Sequence, residues 1–178
     1  MYTYFKSSIN IRENKMKHII FLIGLLLSSN SFAEYTDRYF KMPIEEVYQQ
    51  CNKGNYESCH FAGLRTRDAK QSLKYYLKSC YGDYGRSCYR ASEKIIEINV
   101  PQPNIRKLNS IIKEVIKPVE YGCRIGNAKS CRYLGGMYAA EEFDVVNYEY
   151  AKKVLKKGCL YGDEPSCEML EKLQKLGY

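Results

Sequence analysis

Eight cysteines, at 51 and 59, 80 and 88, 123 and 131, and 159 and 167, are the residues of this chain best placed to do chemistry, and every pair is C-x7-C. Thiols can hold a metal, exchange electrons or close disulfides. Structural zinc sites favour cysteines two to four residues apart with histidine in support, whereas beyond residue 33 this chain has a single histidine, His60. The spacing also suits none of the familiar redox motifs. An even number of cysteines in an exported chain is the usual announcement of a disulfide framework, so no metal and no cofactor is expected.

What surrounds the cysteines repeats as well. Serine precedes the second cysteine each time (Ser58, Ser87, Ser130, Ser166), and a Gly followed by Asn or Asp lies between the two: Gly54-Asn55, Gly82-Asp83, Gly126-Asn127 and Gly162-Asp163, the second displaced by one position. Gly beyond a helical run supplies the left-handed residue that ends a helix, and the Asn or Asp after it can cap the next. Each C-x7-C therefore straddles a helix-turn-helix joint, where packed neighbours bring α-carbons within disulfide reach. The spacing predicts the local pairs Cys51–Cys59, Cys80–Cys88, Cys123–Cys131 and Cys159–Cys167. In the chain-entropy account each closed loop of this length is worth about 2.5 kcal/mol.

The elements between joints are helical hairpins. From Cys59 to Cys80 is 21 residues, from Cys88 to Cys123 is 35 and from Cys131 to Cys159 is 28, steps of seven that correspond to about one turn in each of two helices. The middle hairpin is expected to be tall, with its tip at 100–104, and the first short, turning at 66–68. Pro118 falls inside the second helix of the tall hairpin and should kink it or start it afresh.

The N-terminus reads as an export signal. From Met16, "MKHIIFLIGLLLSSNSFA" has a short basic region, an apolar core and small residues at Ser31 and Ala33, the pattern of a cleaved signal peptide. The apolar run from Ile19 to Leu27 is about half the roughly 20 residues a membrane span needs, so residues 1–33 are assigned to the signal, with the start at Met16 and cleavage after Ala33. Residues 34–42 form an extension and no stable membrane span follows. Removing Lys6, Arg12, Lys15, Lys17 and Glu13 leaves 24 basic and 19 acidic residues, a net charge of +5 against +8 for the whole chain. With no block of like charges this reads as a solvated, lysine-rich surface rather than a nucleic-acid site.

Three stretches then resemble something known. "QSLKYYLKSC" (71–80), "SCRYLGGMY" (130–138) and "YEYAKKVLKKGC" (148–159) are similar to the Sel1-like repeat, in its cysteine-rich secreted branch, the helicobacter cysteine-rich proteins. In that branch a helical pair of about 36 residues repeats with C-x7-C at every joint, and Cys123 to Cys159 is 36. Only the third hairpin keeps Leu134, Gly135 and Tyr138 together, and the first two differ in length. The resemblance implies an all-α fold, an α/α solenoid of Sel1/TPR-like hairpins over residues 43–178: a capping helix from Pro43 to Lys53, three hairpins, and a half-repeat from Pro165. It also implies that the first helix of each hairpin lines a concave side, and that Tyr75, Tyr76 and Tyr138 are core residues.

Candidate functional residues follow from that placement. Tyr89 and Tyr133 lie beside Arg90 and Arg132 on helices assigned to the concave side, and Tyr with Arg is the composition of binding hot spots. His60, Arg65 and Glu93 complete the expected surface. The chain is read as a periplasmic or secreted, monomeric, non-enzymatic solenoid that binds a protein or peptide in the cell envelope, with an immunity or inhibitor protein against a periplasmic toxin as the sharper form. The alternative is a cell-wall or β-lactam-binding protein with weak β-lactamase activity. That alternative draws on the resemblance and on Ser110-Ile-Ile-Lys113, an S-x-x-K without the further motifs serine β-lactamases use.

Overall fold

A computed structural model describes residues 37–178 except Pro101 and Pro103. The expected signal peptide, residues 1–33, and the first residues of the 34–42 extension lie outside the described residues. The chain divides between Met42 and Pro43. On the N-terminal side of that division, residues 37–41 form a helical turn in which Lys41 pairs with Asp37.

From Pro43 onward the described residues form helices α1 (Ile44–Asn52), α2 (Tyr56–Arg65), α3 (Ala69–Tyr81), α4 (Arg86–Asn99), α5 (Ile105–Arg124), α6 (Ala128–Ala139), α7 (Tyr148–Leu160) and α8 (Glu164–Lys175). Each packs on the next. Contacts also reach one repeat further, α3 to α5 to α7 along one side and α4 to α6 to α8 along the other, which is the near-neighbour stacking of a solenoid. The capping helix is α1, the hairpins are α2/α3, α4/α5 and α6/α7, and α8 is the half-repeat. Val115, Val119, Leu134 and Leu155 are fully buried in the core, among the middle and third hairpins.

Short polar residues start the helices. Asn55, Asn127 and Asp163 accept from the backbone N–H three residues on, at 2.9, 2.9 and 3.0 Å, and Asp68, Asn104 and Asn147 do the same at the far ends, at 2.7, 3.0 and 2.9 Å. Gly54, Gly126 and Gly162 hold φ of +93°, +92° and +84°, the left-handed turn that only glycine adopts without cost.

The second joint departs from expectation. There Asp83 takes the left-handed conformation, at φ +66°, and α4 begins after Gly85 with no side-chain cap. Gly82 serves another purpose, because the ring of Tyr56 lies against it and a Cβ would come within 2.2 Å of that ring. The displaced glycine is a packing site rather than the turn residue.

All four local disulfides are present, with α-carbons 4.6, 4.7, 4.5 and 4.8 Å apart. The repeated serine has a packing reason. Ser58, Ser87, Ser130 and Ser166 are fully buried, each facing the residue that precedes the first cysteine of its joint. Ser58 donates to Gln50 Oε1 at 3.0 Å and Ser87 to Ser79 Oγ at 2.7 Å. Ser130 and Ser166 instead donate to their capping residues Asn127 and Asp163, at 2.8 and 2.6 Å. At those joints the facing residue must be glycine: a Cβ on Gly122 would lie 2.4 Å from Ser130 Oγ, and one on Gly158 2.5 Å from Ser166 Oγ.

Hairpin lengths differ by sevens for a less uniform reason than one turn per helix. The tall hairpin takes its extra length chiefly in α5, 20 residues against 13 in α7. The short one has an α3 of the same 13 residues and loses length mostly in its connection, residues 66–68 against 140–147. Helix α5 runs unbroken through Pro118, so the proline does not start a new helix.

Candidate functional site

Helices α4 and α6 bring five of the expected residues into one polar strip. Glu93 accepts from Arg90 Nη1 at 3.0 Å and from the Tyr133 hydroxyl at 2.5 Å, joining the two helices. The rings of Tyr89 and Tyr133 pack with centroids 5.5 Å apart. Arg90 and Lys129 lie over the Tyr89 ring, at 5.2 and 4.4 Å from its centroid. Arg132 carries the strip on to α8, 3.4 Å from Asp163, the residue that caps that helix. Burial, and then the bond to Glu93, pushes the Tyr133 phenol up to about 12, so it donates at every ordinary pH.

The strip is thus both scaffold and surface. Tyr89 is buried, and Arg90 Nε is a buried donor without an acceptor among the described residues. The Arg90 and Glu93 side chains remain 42% and 35% exposed, enough to be touched by a partner.

His60 and Arg65 do not join it. His60 is 8% exposed, its ring bonded through Nδ1 to Ser87 Oγ at 2.8 Å and enclosed by Phe61, Tyr76 and Tyr84. It is a core residue between α2 and α4, which corrects its assignment to a binding surface. Arg65 is half-buried at the C-terminal end of α2, away from the α4–α6 strip in sequence and element. Ser110 and Lys113 are exposed on α5, and the Ser110 hydroxyl donates to the carbonyl of Lys107, one turn back, at 2.7 Å.

A second arrangement does not emerge from the sequence reading. Between α5 and α7 opens a cleft of about 480 Å³, lined by Lys117, Glu120, Tyr121 and Arg124 from α5 and by Tyr150, Lys153, Val154 and Lys157 from α7, with Tyr81 at its edge and Leu134 among its apolar lining. Both helices contribute positions i, i+3, i+4 and i+7, the spacing of one helical face. That shared spacing is the available signal. Charge summed over the whole chain conceals it, because the excess shows only face by face.

Its walls are braced. Tyr121 donates to Asp83 Oδ1 at 2.5 Å and meets Tyr81 edge-on at 5.2 Å, while the Arg124 guanidinium lies 4.9 Å from the Tyr121 ring centroid. Lys157 Nζ donates to the Arg124 carbonyl at 3.3 Å, and the Tyr150 hydroxyl reaches Glu120 at 3.5 Å. Among the described residues no cluster of His, Cys, Asp and Glu is arranged to hold a metal, and no helix is long and apolar enough to cross a membrane.

Comparison with solved structures decides the fold. A cysteine-rich protein B from Helicobacter pylori superimposes with a TM-score of 0.52 over 73% of this chain and 98% of its own, at 18% identity. A Sel1 repeat protein from Oxalobacter formigenes does so with 0.56 over 72% and 96%, at 11% identity. The chain has the Sel1-like repeat fold. Sequence comparison alone does not reach it: no family profile and no curated protein matches. In a Sel1-like repeat solenoid, hairpins stack into an extended surface, and disulfides join all eight cysteines, bonds that persist in oxidising surroundings.

Proposed function

We propose that this Sel1-like repeat protein is an exported recognition module that binds a protein or peptide of the cell envelope along the α4–α6 strip, without catalysing a reaction. The observation that carries this reading is the bonded series Arg90–Glu93–Tyr133, with Tyr89 beneath it. It presents arginine and tyrosine in a fixed arrangement, so little side-chain freedom is lost on binding. An immunity or inhibitor protein acting on a toxin that arrives in the periplasm is the sharper form of the proposal, and it rests on the same strip.

Site-specific photo-crosslinking in exporting cells tests it. A photoreactive residue at Arg90 or Arg132 should yield a discrete adduct with one envelope protein, and the same residue at Lys113 should not. The adduct formed from Arg132 should weaken at least tenfold with Arg90→Ala. Adducts equally abundant from all three positions, or indifferent to Arg90→Ala, would overturn the strip. The β-lactam alternative has its own test: turnover of a chromogenic β-lactam that disappears in Ser110→Ala would replace this reading with an enzymatic one.

A further inference from the structure

We propose that the cleft between α5 and α7 is a second binding surface, made for an extended, acid-rich segment of a partner protein. It is formed by the second helices of two hairpins, whereas the strip lies on the first helices. The two proposals therefore stand or fall separately.

Charge is the first argument. The cleft's ionisable lining is Lys117, Arg124, Lys153 and Lys157 against the one carboxylate of Glu120. No carboxylate among the described residues lies within 4.0 Å of any of these four cations. The protein does pair its cations elsewhere, as at Arg132–Asp163 and Lys94–Glu97. Four cations gathered around a single carboxylate, none of them in an ion pair, leave a net positive field in the cleft.

Order is the second. Arg124 is held against the Tyr121 ring, and Lys157 is bonded to the Arg124 carbonyl. Tyr121 is itself fixed by Asp83 and Tyr81. These cations are placed before a ligand arrives, unlike lysines moving freely over a convex surface.

Shape and lining choose the class of ligand. At about 480 Å³, the cleft is within the range of ligand sites, and Cys123, Leu134 and Val154 give it apolar surface against which aliphatic carbons of a peptide can lie. Glu120 lines the same cleft, where it can accept a backbone N–H from an extended chain, a donor that a polyphosphate lacks. An acidic peptide satisfies charge, apolar lining and the central carboxylate together.

The test is fluorescence anisotropy with labelled octaglutamate and, in parallel, octaglutamine and inorganic polyphosphate of similar charge, on the disulfide-bonded protein at 50 mM and 200 mM salt. Octaglutamate should bind at 50 mM salt, weaken at 200 mM as exposed charges are screened, and lose at least tenfold in affinity in the double variant Lys117→Glu, Lys153→Glu. The pair Lys172→Glu, Lys175→Glu on α8 changes net charge equally outside the cleft and should lose less than threefold. Circular dichroism verifies folding of each variant. Should the double reversal fail to fold, Lys117→Gln with Lys153→Gln gives the same comparison. Absence of octaglutamate binding, equal losses in the two pairs, equal binding of octaglutamine, or polyphosphate binding tenfold tighter than octaglutamate would each overturn the proposal.

Discussion

His60 offers a quantitative test of its buried, structural role. Its ring is enclosed by Phe61, Tyr76 and Tyr84, bonded to Ser87, and close to Arg90 and Arg86. Burial first, and then those two arginines, lower its pKa from 6.5 to about 4. In the unfolded chain the same imidazole takes a proton near 6.5. Between the two values the unfolded state binds the proton and the folded state does not, so stability rises with pH across this window. The contribution is fully present above pH 6.5 and is lost as pH falls toward 4.

A tenfold difference in proton affinity between the folded and unfolded chain is worth about 1.4 kcal/mol, and integrating the two titrations gives a loss of about 1 kcal/mol at pH 5.5 and about 2–3 at pH 4.5. Carboxylates also titrate near pH 4.5, so the measurement is a difference. His60→Gln keeps a hydrogen-bonding side chain toward Ser87 and removes the titration. Urea unfolding at pH 7.5, 5.5 and 4.5, with disulfides intact and followed by circular dichroism because the chain has no tryptophan, should show the native protein losing about 2–3 kcal/mol more than the variant between the first and last pH. Parallel losses, within about 0.5 kcal/mol of each other, would refute the placement of His60 as a buried neutral ring. A native protein that gained stability on acidification relative to the variant would reverse the sign and refute it more strongly.

The same alanine substitution should have opposite signs at two glycines. Gly122→Ala drives a Cβ to 2.6 Å from Cys88 Cβ and 2.4 Å from Ser130 Oγ and should cost about 1–3 kcal/mol by overpacking. At Gly136 the nearest atom is Met169 Cε, at 3.4 Å, so alanine should gain up to about 1 kcal/mol from helix propensity; urea midpoints read both. Asn127→Ala removes the acceptor of both the Ser130 amide and hydroxyl and should lower stability by about 1–2 kcal/mol, again by urea midpoint. Limited reduction followed by alkylation and mass spectrometry should find Cys159–Cys167 opened first, since both its cysteines are half-buried while Cys51, Cys59, Cys80, Cys88 and Cys131 are wholly buried.

The joints are legible in the sequence because their physics is local. A left-handed glycine, a capping Asn or Asp and a cysteine on either side all act within nine residues, so spacing alone carries the disulfides and the hairpin order. The second joint misleads for a non-local reason: Gly82 is fixed by Tyr56, 26 positions away, and no local rule reports a ring packed from another helix. His60 is misplaced on similar grounds. Its helix belongs to the expected layer, but which side of α2 turns inward depends on Ser87 and Tyr84, which come from the next helix pair and the joint before it. The repeated serine is visible without its reason, since the residue it faces is Gln50, Ser79, Gly122 or Gly158, and side chains so different look unrelated until they are seen against it.

The proposed role of the α5–α7 cleft places function in positions that the packing rules of the repeat leave open. Counting back from the first cysteine of each joint, Lys74, Lys117 and Lys153 share one position, and Lys78, Tyr121 and Lys157 share another. The register of this cationic face is thus set by the disulfide joints and not by the hairpin tips. This explains why the extra length of α5 does not disturb the cleft: the added residues extend toward residue 105, away from Cys123, while Lys117, Tyr121 and Arg124 stay opposite α7. A deletion of seven residues from the 105 end of α5 should on this reasoning leave octaglutamate affinity within twofold, whereas moving the register by one residue between Lys117 and Cys123 should abolish it. Equal loss from both changes would separate the cleft from the joints and remove the geometric basis on which α5 and α7 share it.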